Sequence, residues 1–331
     1  MACDGGYWRF SMNYCIVACY ALFLLVSFPS ISLFAERDNI SITREDGSLI
    51  QGILDFPDSE KDFPLVIFID GSHENSVTGN HEKLASLCNA HKIGFLSIEK
   101  RGITPKGIDK KEFIAHDCAE ERLSDYALLL KQFRVGKIAR GNGCCILLGA
   151  SEGGKIAPQL ALAFPSVVQG VVLISSGGGI SFAEEMKYQT RQHIRQSNVL
   201  RRLGFKIRGV IFPEEEDKYY KKILEMPESL KMYRTKTWKW WASYLRQDLL
   251  STLLKIDMPM YMIHGAKDVI IPVKSADRVK EAFDKAGKTN FEYARYEDLG
   301  HALTGREDVY ASMMEWIQHT SAQSAQRGLE Q

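Results

Sequence analysis

Five residues of this 331-residue chain, Gly149-Ala150-Ser151-Glu152-Gly153, stand between a short apolar run and a stretch of helical periodicity. The run, Cys144-Cys145-Ile146-Leu147-Leu148, has the length and composition of a buried parallel strand. Lys155 to Ala163 supplies the helix, with a kink expected at Pro158. Strand, sharp turn and helix in that order put Ser151 at an apex. Small residues two before and two after it let strand and helix approach closely, so the turn is expected to strain the serine backbone and present Oγ outward. Such an elbow needs a parallel sheet to carry it.

The rest of the chain supplies one. Ile40 to Thr43 and Leu49 to Leu54 flank Glu45-Asp46-Gly47-Ser48 as a hairpin. Strands Leu65–Ile69 and Gly94–Ile98 then alternate with helices over Lys83–Ala90 and Glu112–Phe133, and Val171–Ile174 follows the elbow. The alternation stops between Ile180 and Leu254, a charged, helical, aromatic block containing Trp238, Trp240, Trp241 and Tyr244. It resumes with a strand at Met260–Ile263, a helix over Ser275–Ala286, a strand at Phe291–Tyr296 and a helix from Glu307 to Gln318. The expected fold class is α/β, a mostly parallel sheet covered by helices on both faces. Five segments follow: a leader over 1–35, core over 36–179, a helical cap insertion over 180–254, core over 255–320, and a polar tail over 321–331 that is expected to fray.

Charge is balanced, with 42 Lys plus Arg against 41 Asp plus Glu, so no global field favours nucleic acid or an anionic membrane. A small-molecule acyl substrate fits that balance. The leader differs: Cys15 to Val26 is unbroken and apolar, and small residues and Pro29 precede the charged start at Glu36. It reads as a secretory signal, which makes the protein exported; an uncleaved N-terminal anchor is the alternative and the one route to a membrane. Three of seven cysteines lie in it. Of the others, Cys144 and Cys145 read as small apolar residues, and a Cys88–Cys118 disulfide is open in an oxidising compartment. No metal-ligand spacing appears among Cys and His, and no cofactor is implied.

A serine nucleophile needs a base to take its proton and an acid to orient that base, both at carboxyl ends of strands. Asp268 follows the strand ending at Ile263, and His301, in Leu299-Gly300-His301-Ala302, follows the last strand. Ser151, Asp268 and His301 stand in the order Ser, Asp, His. From Ile40 to Gln318 the chain resembles an α/β-hydrolase-fold serine hydrolase, and Ser151-Glu152-Gly153-Gly154 with Glu99-Lys100-Arg101-Gly102 resembles its Ser-Glu-Gly-Gly subgroup. The resemblance implies Ser151 as nucleophile, Asp268 as acid and His301 as base, with an oxyanion hole from the backbone N–H groups of Ser72 and Glu152. It departs from the pattern at Asp70-Gly71, where His-Gly is usual, and at Ala150, where the subgroup carries His.

Other residues have plainer readings. Asp298 competes with Asp268 as the acid, but lies close to His301 in sequence. Glu152 reads as a carboxylate at a helix N-terminus, with binding to Arg101 or a substrate hydroxyl as the alternative. His73 and His81 read as solvated-loop residues, and His264 as packed beneath the acid's loop. Trp240 and Trp241 are candidate substrate contacts, against the reading that they form the insertion's own core. The expected activity is hydrolysis of a carboxylic ester through an acyl-enzyme. The alternatives are a peptidase or acyl-aminoacyl hydrolase similar to prolyl-oligopeptidase catalytic domains, an acyltransferase, or a catalytically silent binding scaffold.

Overall fold

The computed structural model describes residues 35–57, 63–138, 145–197, 215–302 and 306–329. The leader up to residue 34, Cys144 and residues 198–214 of the insertion lie outside the described residues. Among the described residues, no helix is long and apolar enough to cross a membrane.

Eight strands form one sheet: β1 Ala35–Thr43, β2 Leu49–Pro57, β3 Leu65–Ile69, β4 Gly94–Ile98, β5 Cys145–Ala150, β6 Val168–Ile174, β7 Met260–Gly265 and β8 Phe291–Tyr296. Their spatial order is β1-β2-β4-β3-β5-β6-β7-β8. The hairpin β1–β2 is antiparallel, β2 runs antiparallel to β4, and every pairing from β4 to β8 is parallel. Besides the single helical turn Val77–Asn80, the helices are α1 Glu82–Ala90, α2 Lys110–His116, α3 Ala119–Arg134, α4 Ala157–Ala163, α5 Phe182–Gln196, α6 Glu216–Glu225, α7 Trp238–Leu245, α8 Leu249–Leu254, α9 Val273–Lys285 and α10 Glu307–Leu329.

Side chains alternate across each parallel strand, and both faces are buried. Leu65, Ile67, Ile69, Leu147, Val171, Leu173, Met260 and Met262 share a core with α3, α4 and α9. Their neighbours Val66, Phe68, Ile146, Leu148, Val172, Tyr261 and Ile263 pack with α1 and α10 on the other face. Each fully buried side chain of this kind stabilises the fold by about 1.5–3 kcal/mol, which is why these runs carry almost no polar residue.

Several boundaries differ from the sequence expectation, three of them for reasons that contacts or caps supply. The helix expected over Glu112–Phe133 is two, because Asp117 and Cys118 leave helical geometry and the N–H of Ala119 donates to Ser243 Oγ of α7. Pro158 does not kink a helix: Ser151–Lys155 is a 3-10 turn, and Pro158 sits in the first turn of α4, where a missing N–H costs nothing. The last helix runs past Gln318 to Leu329, anchored by buried Thr320 and by Ser321, whose Oγ donates to the Ile317 carbonyl. Cys88 and Cys118 are buried and not bonded to each other, so the Cys88–Cys118 disulfide does not form.

Between β6 and β7 the described insertion contains α5, α6, α7, α8 and a two-stranded ribbon of Met232–Tyr233 with Lys236–Thr237. Ser181 and Glu184 cap α5 reciprocally, and the Thr237 side chain caps α7. Phe182, Tyr220, Tyr233, Trp240, Trp241 and Tyr244 stack together, with Trp240 and Trp241 buried. Aromatic area of this size is what holds so small a helical unit together.

Candidate active site

The elbow owes its shape to close backbone approach. A Cβ at Gly153 would lie 1.9 Å from the Ile69 carbonyl oxygen, and one at Gly149 would lie 2.6 Å from the Gly153 carbonyl oxygen. Ser151 has φ of 53°, the left-handed region that a serine adopts only under constraint. Gly153→Ala is therefore expected to cost at least about 3 kcal/mol, since backbone cannot give way as a flexible side chain does. Urea unfolding tests this; a midpoint equal to the parent's would contradict the packing argument.

Ser151, His301 and Asp268 come together from three strand ends. His301 Nε2 lies 3.0 Å from Ser151 Oγ, and His301 Nδ1 lies 2.8 Å from Asp268 Oδ2. The carboxylate only accepts, so Nδ1 carries the hydrogen and Nε2 is left to accept from Oγ–H. Asp268 is buried, and its Oδ1 accepts from the backbone N–H groups of Ile270 and Ile271 at 2.8 and 2.9 Å. The two loops are bound in register, with Lys267 N–H donating to Leu299 O and Ala266 N–H to Tyr296 O. Asp298, the competing acid, is exposed and held by Arg306.

The turn after β3 lies against this serine: a Cβ at Gly71 would sit 3.4 Å from Ser151 Cβ and 3.9 Å from Oγ. Lys100 Nζ donates to the Gly71 carbonyl at 2.6 Å and also to that of His73. No peptide here is cis, so holding the Gly71 oxygen turns the Ser72 N–H away from Lys100. The N–H of Glu152 opens a helical turn, where it has no intrahelical acceptor.

Beneath the turn is a buried charge network that the sequence did not disclose. Arg122 of α3 donates to Asp70 Oδ1 at 2.6 Å and to Glu152 Oε1 at 2.8 Å, and Lys100 lies 3.2 Å from Asp70 Oδ2. Trp240 Nε1 donates to Glu152 Oε2 at 3.0 Å. Glu152 therefore binds Arg122 and the insertion, whereas Arg101 pairs with Glu112 and Asp46. Burial alone would raise the pKa of Asp70, but Lys100 and Arg122 hold it well below the usual carboxylate range. Burial likewise opposes ionisation of Glu152, and Arg122, Lys236 and Lys100 reverse it. Trp240 and Trp241, the candidate substrate contacts, are buried side chains: one donates to Glu152, the other to the Tyr233 carbonyl.

His73 and His81 are not solvated-loop residues. His73 Nε2 lies 3.2 Å from Asp70 Oδ2, and His81 Nδ1 lies 3.0 Å from Ser97 Oγ. Burial pushes both down to about 4, against the partial pull of Asp70. Their folded pKa lies below the unfolded value near 6.5, so their contribution to stability is present above that pH and is lost as pH falls toward 4. The urea unfolding free energy should drop by up to about 3 kcal/mol per histidine across that window, and the drop should shrink in a His73→Gln/His81→Gln variant. An equally steep fall in the double variant would assign the acid sensitivity elsewhere. Asp70, His73 and His81 are also the one trio among the described residues close enough to share a metal ion. The fit is poor, because Arg122 and Lys100 already sit on the carboxylate and would repel another cation.

Residues 61–308 match the family model described as serine aminopeptidase, S33. Similar solved structures include the Pyrococcus furiosus esterase Pf2001, 14% identical over 90% of this chain and 96% of that one at a TM-score of 0.58. Est1E from Butyrivibrio proteoclasticus with ferulic acid bound is 16% identical over 86% and 99%, TM-score 0.60. The α/β hydrolase GrgF from Penicillium sp. sh18 is 16% identical over 87% and 99%, TM-score 0.61. No curated protein matches the chain. With an elbow serine on a mostly parallel eight-stranded sheet and a family match over most of its length, the chain belongs to the serine aminopeptidase S33 family of α/β-hydrolase-fold serine hydrolases.

Proposed function

We propose that this hydrolase cleaves a carboxylic ester of a small or medium-sized substrate through an acyl-enzyme on Ser151. The observation that carries the reading is the unbroken path from Ser151 Oγ through the His301 ring to Asp268, at 3.0 and 2.8 Å. Ser151 Oγ attacks the carbonyl carbon as His301 Nε2 takes its proton, and the carbonyl oxygen gains the negative charge. The N–H groups of Ser72 and Glu152 receive that oxyanion, which is the stabilisation worth most in such reactions. The C–O bond then breaks, and the proton on Nε2 leaves with the alcohol. Water repeats the sequence from the other side, giving up a proton to His301 and releasing the acid.

The segment over 180–254 acts as a cap in this reading, fixed to the elbow where Trp240 meets Glu152 and shaping the acyl and alcohol sites. Amide cleavage is the second reading, favoured by the family's aminopeptidase description; the solved neighbours named as esterases favour the first. A panel of p-nitrophenyl esters from acetyl to decanoyl, set against aminoacyl p-nitroanilides, separates them. The ester reading expects kcat/KM at least about 100-fold higher on the best ester. A preference for the anilides would replace it with the peptidase.

A further inference from the structure

His264, the penultimate residue of β7, is fully buried, and the proton transfers above do not use it. Its Nε2 lies 3.1 Å from the Ile271 carbonyl oxygen and 3.4 Å from Asp268 Oδ2. A carbonyl oxygen only accepts, so Nε2 must carry a hydrogen. Nδ1 is buried with no hydrogen-bond partner, the arrangement of a neutral ring with its hydrogen on Nε2 and Nδ1 bare. Burial, together with nearby His301, keeps the ring below the ordinary histidine range despite Asp268. The titratable groups that face it are Asp268, His301 and Glu185 of α5. Glu185 is already engaged, by Lys155 at 2.5 Å and by Ser275 Oγ–H at 2.8 Å.

A donor fixed in that place acts on Asp268 in two ways. By holding the Ile271 carbonyl it braces the turn whose N–H groups, from Ile270 and Ile271, grip Asp268 Oδ1. Its N–H also puts partial positive charge beside Oδ2, the oxygen to which His301 Nδ1–H donates. We propose that His264 is a positioning residue for the acyl transfer, a second histidine that fixes the Asp268 carboxylate in the direction His301 requires. The inference rests on the reading of Ser151, His301 and Asp268 as the reacting chain. It also accounts for a histidine, rather than an apolar residue, in a fully buried place with half its polar capacity unmet, where leucine would pack without that cost.

The test uses the full chain with p-nitrophenyl acetate as probe. His264→Leu removes the N–H, and His264→Asn carries an amide too short to reach the Ile271 carbonyl; His264→Gln keeps an amide N–H near the place of Nε2. The Leu and Asn variants should lose about tenfold to hundredfold in kcat with KM within about twofold, the size of effect expected when a reacting group is misdirected. The acidic limb of their kcat/KM profile should move to higher pH, because the Asp268 carboxylate loses a neighbouring donor and carries more uncompensated negative charge. The Gln variant should recover most of both. Parent-like kcat and pH profile in Leu and Asn, with only thermal stability altered, would overturn the proposal, as would equal losses in Leu and Gln. Ser151→Ala in parallel separates the two levels of the argument. Turnover persisting in Ser151→Ala removes the underlying reading, whereas a silent Ser151→Ala beside fully active His264 variants removes only the role of His264.

Discussion

His301→Ala is expected to lower kcat/KM for p-nitrophenyl acetate by about 10⁴-fold to 10⁶-fold, leaving the remainder to substrate binding and the oxyanion donors. The ring's Nε2 is the only side-chain nitrogen within hydrogen-bond distance of Ser151 Oγ among the described residues. Among the described residues, no other side chain bonded to Ser151 Oγ can take the serine proton. His301 lies in a loop after β8 and its side chain is 17% exposed, so its removal should leave the thermal midpoint within a few degrees. Loss of activity together with unfolding would point to a structural histidine; steady-state kinetics and a thermal melt on the same sample distinguish the two.

Asp268→Asn should follow closely, with a fall of about 10³-fold to 10⁴-fold in kcat. The amide can offer its N–H₂ to His301 Nδ1, which stabilises the tautomer with hydrogen on Nε2 and deprives Ser151 Oγ of its acceptor. The effect should appear in kcat more than in KM, since the carboxylate's partners are the His301 ring and its own turn. Asp298→Asn is the control. Its carboxylate is exposed and pairs with Arg306, a surface contact worth no more than about 1 kcal/mol, so activity should stay within about twofold of the parent. A larger loss in Asp298→Asn than in Asp268→Asn would reassign the acid.

How much of this could be read from the chain follows from how local each feature is. The elbow was legible because Gly149, Ser151 and Gly153 lie within five residues, and the crowding that demands glycine there arises from the turn and the adjoining strand. Asp268 and His301 were legible because each follows an apolar strand, and a parallel sheet brings the carboxyl ends of its strands to one edge. The network on Asp70 was not. Arg122 reaches Asp70 across 52 residues and Glu152 across 30, and on a helix its charge reads as solvent-facing. The same holds for Lys236, which reaches Asp117 from 119 residues away. The break between α2 and α3 was hidden because Asp117 and Cys118 carry no Pro or Gly. Tertiary contact with Ser243, rather than local chemistry, sets it. Trp240 and Trp241 showed what a small insertion needs for its core, but not that Trp240 Nε1 would be spent on Glu152.

Ser151 should therefore be chemically unlike the other serines among the described residues, and an alkyl fluorophosphonate reads that difference directly. After stoichiometric labelling and proteolysis, mass spectrometry should find a single adduct, on Ser151, with no label in Ser151→Ala and a labelling rate at least about 10³-fold slower in His301→Ala. An adduct on another residue, or labelling that persists in Ser151→Ala, would contradict the account.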